Sequence, residues 1–373
     1  MAKKIKIALF IRGFHNGGIE KVFESYFTHM DLSPFEIHVI THMPNIPEKK
    51  KMFEDMGCVI HELSRVHGHK LNRRNFKEYR ELFSSVRFDI VHNNMPENLL
   101  PFLYAKRYKI PVRILHAHNI YTEGYDKKKP VVRKLFMIGF ALNTRNATQL
   151  VAVSNAAAVS AFGKQPEGKV LILPNAIEMG KFRFRPDVRA EYRQKLGVGD
   201  DFVIGYIGRY ETDQKNQEFV LEIFRDLLEK KSNSRLLMIG DGKRLDFFKK
   251  MACDMGISRK VIFTGNVQNV QDYLQVMDVF ILPSRKEGLG IVAVEAQASG
   301  LYCVLSDKVP EEAKVSENVT FLPIGEENHT KWVQEIIKHY QDERKDNTED
   351  IIKAGYNIET AAEQLELMYK GIL

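Results

Sequence analysis

The chain has only three cysteines in 373 residues, Cys58, Cys253 and Cys303, and no Cys-x-x-Cys pair. That scarcity excludes a disulfide framework and a structural zinc site, and it fits a reducing cytosol. Long hydrophobic runs are also missing. No window approaches the ~18 uncharged apolar residues of a membrane span. The opening "MAKKIKIALFIRG" is basic and then apolar, like a secretion signal. Its apolar run from Ile7 ends at Ile11, too short for one, so it reads as a first β-strand. No Asp-x-Asp occurs anywhere, so the usual carboxylate clamp for a metal–diphosphate is absent. Internal repeats and low-complexity tracts are lacking, and no nucleic-acid recognition motif appears.

What is present is the composition of a globular protein, 44% hydrophobic and 28% charged. Its length exceeds one core and suits two domains. The net charge of +7 is uneven: residues 1–175 carry 27 Lys and Arg against 15 Asp and Glu, and the remainder carries 28 against 33. A split this wide suggests that the halves meet different partners. Short β-branched runs alternate with amphipathic helical stretches throughout. "IKIALFI", "FEIHVITH" and "FDIVHNN" are among the strands of the first half, "FVIGYIGR", "DVFILPS" and "LYCVLSD" among those of the second. Twelve or more strands exceed what one open sheet holds. The expected fold is α/β, two doubly wound Rossmann-like domains facing across a cleft. The charged, proline-bearing stretch 173–201 holds the boundary, giving residues 1–175, residues 176–355, and a terminal helix at 356–373. That helix could cap the second domain or return to the first.

Doubly wound folds bind ligands where strand ends give way to helix starts. Four such junctions carry chemistry. At the first, Gly17 and Gly18 precede a helix; adjacent glycines admit close backbone approach and a helix N-terminus favours an anion. The spacing is not G-x-G-x-x-G, which disfavours a dehydrogenase, and a plain tight turn is the alternative. In "RILHAHN", His116 and His118 would share one face of a strand. Solvated or structural histidines are the commoner case, and a metal site would need a third ligand. In "GRYETDQKNQEF", Arg209 and Lys215 flank a polar loop and suit a diphosphate, unless they simply belong to a solvated basic surface. In "SRKEGLGIVAVEAQASG", Glu287 stands beside Gly288, Leu289 and Gly290, whose backbone amides open a helix, and Glu295 lies about one turn into it. Carboxylates accept paired hydroxyls, so these acids suit a sugar and a ribose. Otherwise they are a surface acid and an ordinary helix residue.

Taken together, these junctions resemble glycosyltransferase family 4, retaining enzymes of the GT-B fold, and most of all its bacterial capsular and exopolysaccharide members. The resemblance covers nearly the whole chain. It rests on the E-x7-E pair Glu287 and Glu295 followed by "EAQASG", supported by "GGIEKV", "RILHAHN", "VSNAAA", "LPNAIE" and "GRYETDQKNQEF". It implies that Glu287 holds donor-sugar hydroxyls and Glu295 the ribose. Arg209 and Lys215 would bind the diphosphate, with backbone amides at Gly18 and at Leu289–Gly290. His118, rather than His116, would sit near the anomeric carbon. No carboxylate acts as nucleophile; the leaving phosphate deprotonates the acceptor, so electrostatic stabilisation carries catalysis. No cofactor and no metal are expected. Two departures stand out. "KVPEEA" retains only Pro310-Glu311 of the family's Gly-Gly-x-Pro-Glu, and Leu289 replaces a common phenylalanine.

The resemblance further implies a UDP-linked donor and a glycan acceptor, lipid-linked, taken by the first domain. "RVHGHKLNRRNFKEYR" (65–80) and "KKKPVVRKLFMIGFAL" (127–142) cluster cations there, the second beside an apolar helix. Such a surface suits anionic lipid headgroups, hence a cytoplasmic protein held peripherally on the inner membrane face. A solvated basic face over a core helix is the alternative. Rival functions are a UDP-sugar 2-epimerase-like isomerase and a non-catalytic nucleotide-sugar-binding protein.

Overall fold

The computed structural model describes residues 3–14, 18–64, 73–121 and 130–371. The chain divides into two compact units, one formed by Met1–Ala176 with Ile358–Leu373, the other by Ile177–Asn357.

The first unit carries seven strands: β1 (Ile5–Phe10), β2 (Phe35–Thr41), β3 (Val59–Glu62), β4 (Ile90–Asn93), β5 (Val112–Ala117), β6 (Gln149–Ala152) and β7 (Val170–Ile172). They form one sheet in the order β3-β2-β1-β4-β5-β6-β7, every neighbouring pair parallel. Parallel strands covered on both faces need near-continuous apolar runs, and β1 has one in Ile7, Ala8, Leu9 and Phe10, all fully buried. The helix Ile19–Thr28 lays Phe23, Tyr26 and Phe27 on the sheet. The terminal helix Ile358–Tyr369 packs on this same unit, against Ile19–Thr28. Its Ala361, Ala362, Leu365 and Met368 recur at the spacing of one helical face, and all enter the first core.

The second unit carries β8 (Phe202–Ile207), β9 (Ser234–Ile239), β10 (Val261–Gly265), β11 (Val279–Leu282), β12 (Tyr302–Ser306) and β13 (Val319–Leu322). Their order is β10-β9-β8-β11-β12-β13, again parallel at every pairing. This is the doubly wound arrangement, in which the direction of winding reverses between β8 and β11. Both strands are buried at every position. The helix Gln217–Lys230 covers them with Phe219, Val220, Ile223, Phe224 and Leu227, apolar positions three and four apart. Two Rossmann-like α/β units with parallel sheets are therefore the architecture.

Candidate functional site

The reversal between β8 and β11 leaves two loops side by side at the carboxyl ends of the strands: Gly208–Asn216 after β8 and Pro283–Gly290 after β11. They are stitched together. Arg285 N–H donates to the Gln214 carbonyl at 2.8 Å, and Gln214 Nε2 donates to the Lys286 carbonyl at 2.9 Å. Asn216 Nδ2 reaches the Pro283 carbonyl at 3.1 Å, while Arg285 Nη2 reaches Asn216 Oδ1 at 2.9 Å. Asn216 is buried in the left-handed conformation, φ 56°, and starts the helix Gln217–Lys230. An asparagine tolerates that backbone better than most side chains. A third loop holds the first from below: Gly240 has φ +137°, and a Cβ there would lie 1.9 Å from the Gly208 carbonyl oxygen. Only glycine lets the two backbones approach so closely.

The result is a charged pair. Lys215 Nζ donates to Glu287 Oε1 at 2.6 Å, and Ser284 Oγ donates to the same oxygen at 2.6 Å. Glu287 is buried, with its partner lysine one-fifth exposed. A buried carboxylate needs such partners, since unpaired it would be costly. Ser284 is itself held, its carbonyl accepting the hydroxyl of Ser306 at the end of β12. Glu287 Oε2 has no hydrogen-bonding partner among the described residues, so one oxygen of the carboxylate is bound and the other is available to hydroxyl donors.

Beyond Glu287 the chain turns through Gly290, φ +83°, into the helix Ile291–Ala298, whose N-terminus no side chain among the described residues caps. Uncapped N–H groups at a helix start carry partial positive charge and suit an anion. Glu295 is buried in that helix, while the Leu289 side chain points inward to the core. Arg209 is exposed and its guanidinium has no partner among the described residues; only its carbonyl is engaged, by Gln217 Nε2 at 2.8 Å. The structure thus unites Lys215, Glu287, Gly288, Leu289 and Gly290 in one unit, with Arg209 at the mouth of the first loop. Pro310 starts a short 3-10 turn with Glu311 exposed. A cavity of about 360 Å³ lined by Pro186, Arg189, Arg193 and Asp278 shares no residue with this group. Asp278 immediately precedes β11, so that cavity opens at the opposite, amino ends of the strands.

In the first unit the corresponding strand ends hold histidines. The His116 and His118 rings lie 3.9 Å apart, on one face as their alternation requires. His92 Nε2 meets His116 Nδ1 at 3.2 Å, and His92 Nδ1 meets the Tyr369 hydroxyl of the terminal helix at 2.8 Å. His116 is thereby tied into the core. His118, one residue beyond β5, bonds through Nε2 to Asn94 Oδ1 at 2.8 Å. Burial lowers all three: His92 and His118 to about 3, His116 well below the ordinary range. The neighbouring Asn175 opposes the shift at His118. These imidazoles are neutral at pH 7, so none acts as a cation. Gly18 begins the helix Ile19–Thr28 without a side-chain cap. A Cβ there would meet nothing within 4 Å among the described residues. Gly17 and residues 65–72 of the basic stretch lie outside the described residues.

Among the described residues no three His, Cys, Asp or Glu side chains are grouped to hold a metal ion. Sequence reading passed over Ser284, Gln214, Asn216 and Asn94. Ser284, Gln214 and Asn216 lay within stretches already under suspicion, and Asn94 did not. Gln214, Asn216 and Asn94 are uncharged side chains whose roles come from partners about 24 to 72 residues away.

Comparison with known proteins places the chain in a family. Residues 16–181 match the family described as Glycosyltransferase Family 4, and residues 188–358 match Glycosyl transferases group 1. EpsF of Bacillus subtilis (strain 168) is 28% identical over 312 residues, covering 81% of this chain and 79% of that protein. The UDP-Gal:alpha-D-GlcNAc-diphosphoundecaprenol alpha-1,3-galactosyltransferase of Escherichia coli is 25% identical over 237 residues, 61% of this chain and 60% of that one. In three dimensions the chain is similar to HepE of Anabaena, solved in complex with UDP, with a TM-score of 0.80 at 16% identity, covering 98% of this chain and all of that one. The chain is a member of the glycosyltransferases, of family 4 in its first unit and group 1 in its second, built on the GT-B fold.

Proposed function

We propose that the protein is a retaining, metal-independent transferase that moves a sugar from a UDP-linked donor to a lipid-linked glycan acceptor in exopolysaccharide or capsule assembly. The observation that carries this is the Lys215–Glu287 pair at the strand-order reversal of the second unit. A lysine beside an uncapped helix start neutralises a diphosphate, and a carboxylate with one oxygen held reads sugar hydroxyls with the other. Arg209, unpaired at the loop mouth, adds a bidentate anchor for the same diphosphate. Glu295 takes the ribose hydroxyls, and the amides at Gly288, Leu289 and Gly290 face the charged link. His118 serves the sugar as a neutral imidazole, and Gly18 offers its helix start. As the bond to the anomeric carbon breaks, Lys215, Arg209 and the helix dipole stabilise the charge growing on the leaving diphosphate. That phosphate takes the acceptor's proton on the same face, which retains configuration. The E. coli UDP-Gal:diphosphoundecaprenol galactosyltransferase and the UDP-bound HepE structure support a UDP donor and a diphosphoundecaprenol-linked acceptor.

A thermal-shift panel of UDP, GDP and ADP, with and without magnesium, tests the site. At a hundred times its dissociation constant a ligand adds roughly 2.7 kcal/mol to stability, a shift of several degrees. UDP stabilisation is expected to be independent of magnesium and to be lost in Lys215→Ala. Stabilisation by GDP or ADP would change the donor, and no shift with any nucleotide would overturn the assignment.

The first unit also carries exposed apolar side chains beside exposed cations. Met137, Ile138 and Leu142 of the helix Pro130–Asn146 and the nearby Leu103 are each more than two-fifths exposed. Lys134, Arg145, Lys106 and Arg107 are exposed around them. No helix among the described residues is long and apolar enough to cross a membrane. This patch supports peripheral attachment to anionic lipid, which would bring the enzyme to its acceptor.

A further inference from the structure

The Asn94 side chain can sit only one way round. Its Nδ2 donates to the Phe10 carbonyl at 3.1 Å, and its backbone N–H donates to that same oxygen at 3.1 Å. A carbonyl oxygen accepts and never donates, so the amide nitrogen must face Phe10 and Oδ1 must face the other way. There it meets His118 Nε2 at 2.8 Å. An amide oxygen in turn accepts only, so His118 carries its proton on Nε2 and leaves a lone pair on Nδ1.

That lone pair is buried and has no partner among the described residues. Beside it stands Asn175, close enough to act on the protonation of the ring, with an Oδ1 that is likewise buried and unpartnered. Asn175 carries an amide nitrogen as well as that oxygen, and a flip of the amide exchanges the two, so Asn175 can itself donate to the lone pair.

Building on the reading of this chain as a sugar transferase, we propose that Asn94 is a positioning residue that locks His118 in its Nε2–H tautomer. Nδ1 then stays the accepting nitrogen with which the ring serves the sugar. His118 acts as a hydrogen-bond acceptor and delivers no proton. Phe23, edge-on to the ring, and His116, tilted against it, pack the ring into that orientation.

The tautomer is directly readable. In protein with 15N-labelled histidine, the His118 signal is identified by its loss in His118→Gln, and the two ring nitrogens of each neutral tautomer resonate apart. Wild type is expected to show Nε2–H alone, whereas Asn94→Ala shows a mixture of the two forms. Asn94→Ala is also expected to lower kcat about tenfold, the worth of one oriented hydrogen bond, while keeping its stabilisation by UDP. Should Asn94→Ala not fold, Asn94→Ser replaces it, and the wild-type spectrum is decisive by itself. An Nδ1–H signal in wild type, or an unchanged Nε2–H signal in the variant, overturns the lock. A locked Nε2–H signal in a protein that turns over no nucleotide-sugar sustains the lock and overturns the transferase reading instead.

Discussion

Lys215 and Glu287 each have a proposed task on a different part of the donor, yet they hold each other at 2.6 Å. A lysine bound to a carboxylate presents less charge to a diphosphate than a free one, so donor binding has to reapportion that hydrogen bond. Glu287→Gln is therefore expected to separate two effects. Affinity for bare UDP, measured by calorimetric titration, stays level or rises because Lys215 is released. Turnover of the nucleotide-sugar falls by about 10² or more, as expected when a carboxylate contact to the reacting sugar is lost. If UDP affinity fell as far as turnover, Glu287 would be serving only to place Lys215. Ser284 belongs to the same argument, because its hydroxyl on Glu287 Oε1 keeps the other oxygen turned outward.

Among the elements, the loops after β8 and β9 depend on glycine at their contact. Gly240→Ala puts a Cβ against the Gly208 backbone, which has no side-chain freedom with which to yield, and adds strain at φ +137°. Urea denaturation is expected to show a loss of roughly 2 kcal/mol or more, with UDP binding weakened because Gly208 leads into the Arg209–Lys215 loop. The histidines at the ends of β4 and β5 set a pH dependence. His92 and His118 go from 6.5 in the unfolded chain to about 3 in the fold, and His116 also goes well below 6.5. The unfolded chain takes up protons near pH 6.5 and the folded one does not. Their contribution is thus complete above that pH and declines as the pH falls toward 3. Each group accounts for about 1.4 kcal/mol per pH unit, so the three together reach about 4. Paired carboxylates such as Glu36 and Glu78, lowered from 4.5, add to the loss only nearer pH 4.5. Unfolding free energies measured at pH 7.5 and 5.5 isolate the histidines, to which His42 and His61, likewise lowered by burial, also contribute, and a flat profile between them would show that water reaches the rings.

At the scale of the whole molecule, the net positive first half and the apolar patch on Pro130–Asn146 make one expectation. Vesicles rich in anionic lipid should sediment the protein at low salt, with binding falling as salt screens the cations within a Debye length of about 8 Å at physiological ionic strength. Replacing Met137 and Leu142 with glutamine should abolish the residual binding at high salt, where only apolar contact survives. If anionic vesicles fail to sediment the protein even at low salt, the basic face is merely solvated.

The strands, their parallel α/β class and the loops that matter were legible in the sequence, since buried parallel strands must be continuously apolar and helices must repeat at three and four. Glu287, Lys215 and Arg209 were legible because charge at a strand-to-helix junction is conspicuous. Other facts depend on residues far apart in the chain and needed the fold. The terminal helix could have gone either way by composition, and it is Leu365, Met368 and Tyr369 packing into the first core that decide it. His116 and His118 look equivalent as a pair. The fold separates them, since one finds His92 behind it and the other finds Asn94. Lys215 and Glu287, 72 residues apart, form an ion pair only because β8 and β11 are neighbours in the sheet. Periodicity and residue type are local properties that the sequence determines by itself. Which donor meets which acceptor is a matter of strand order, and that the tertiary structure decided.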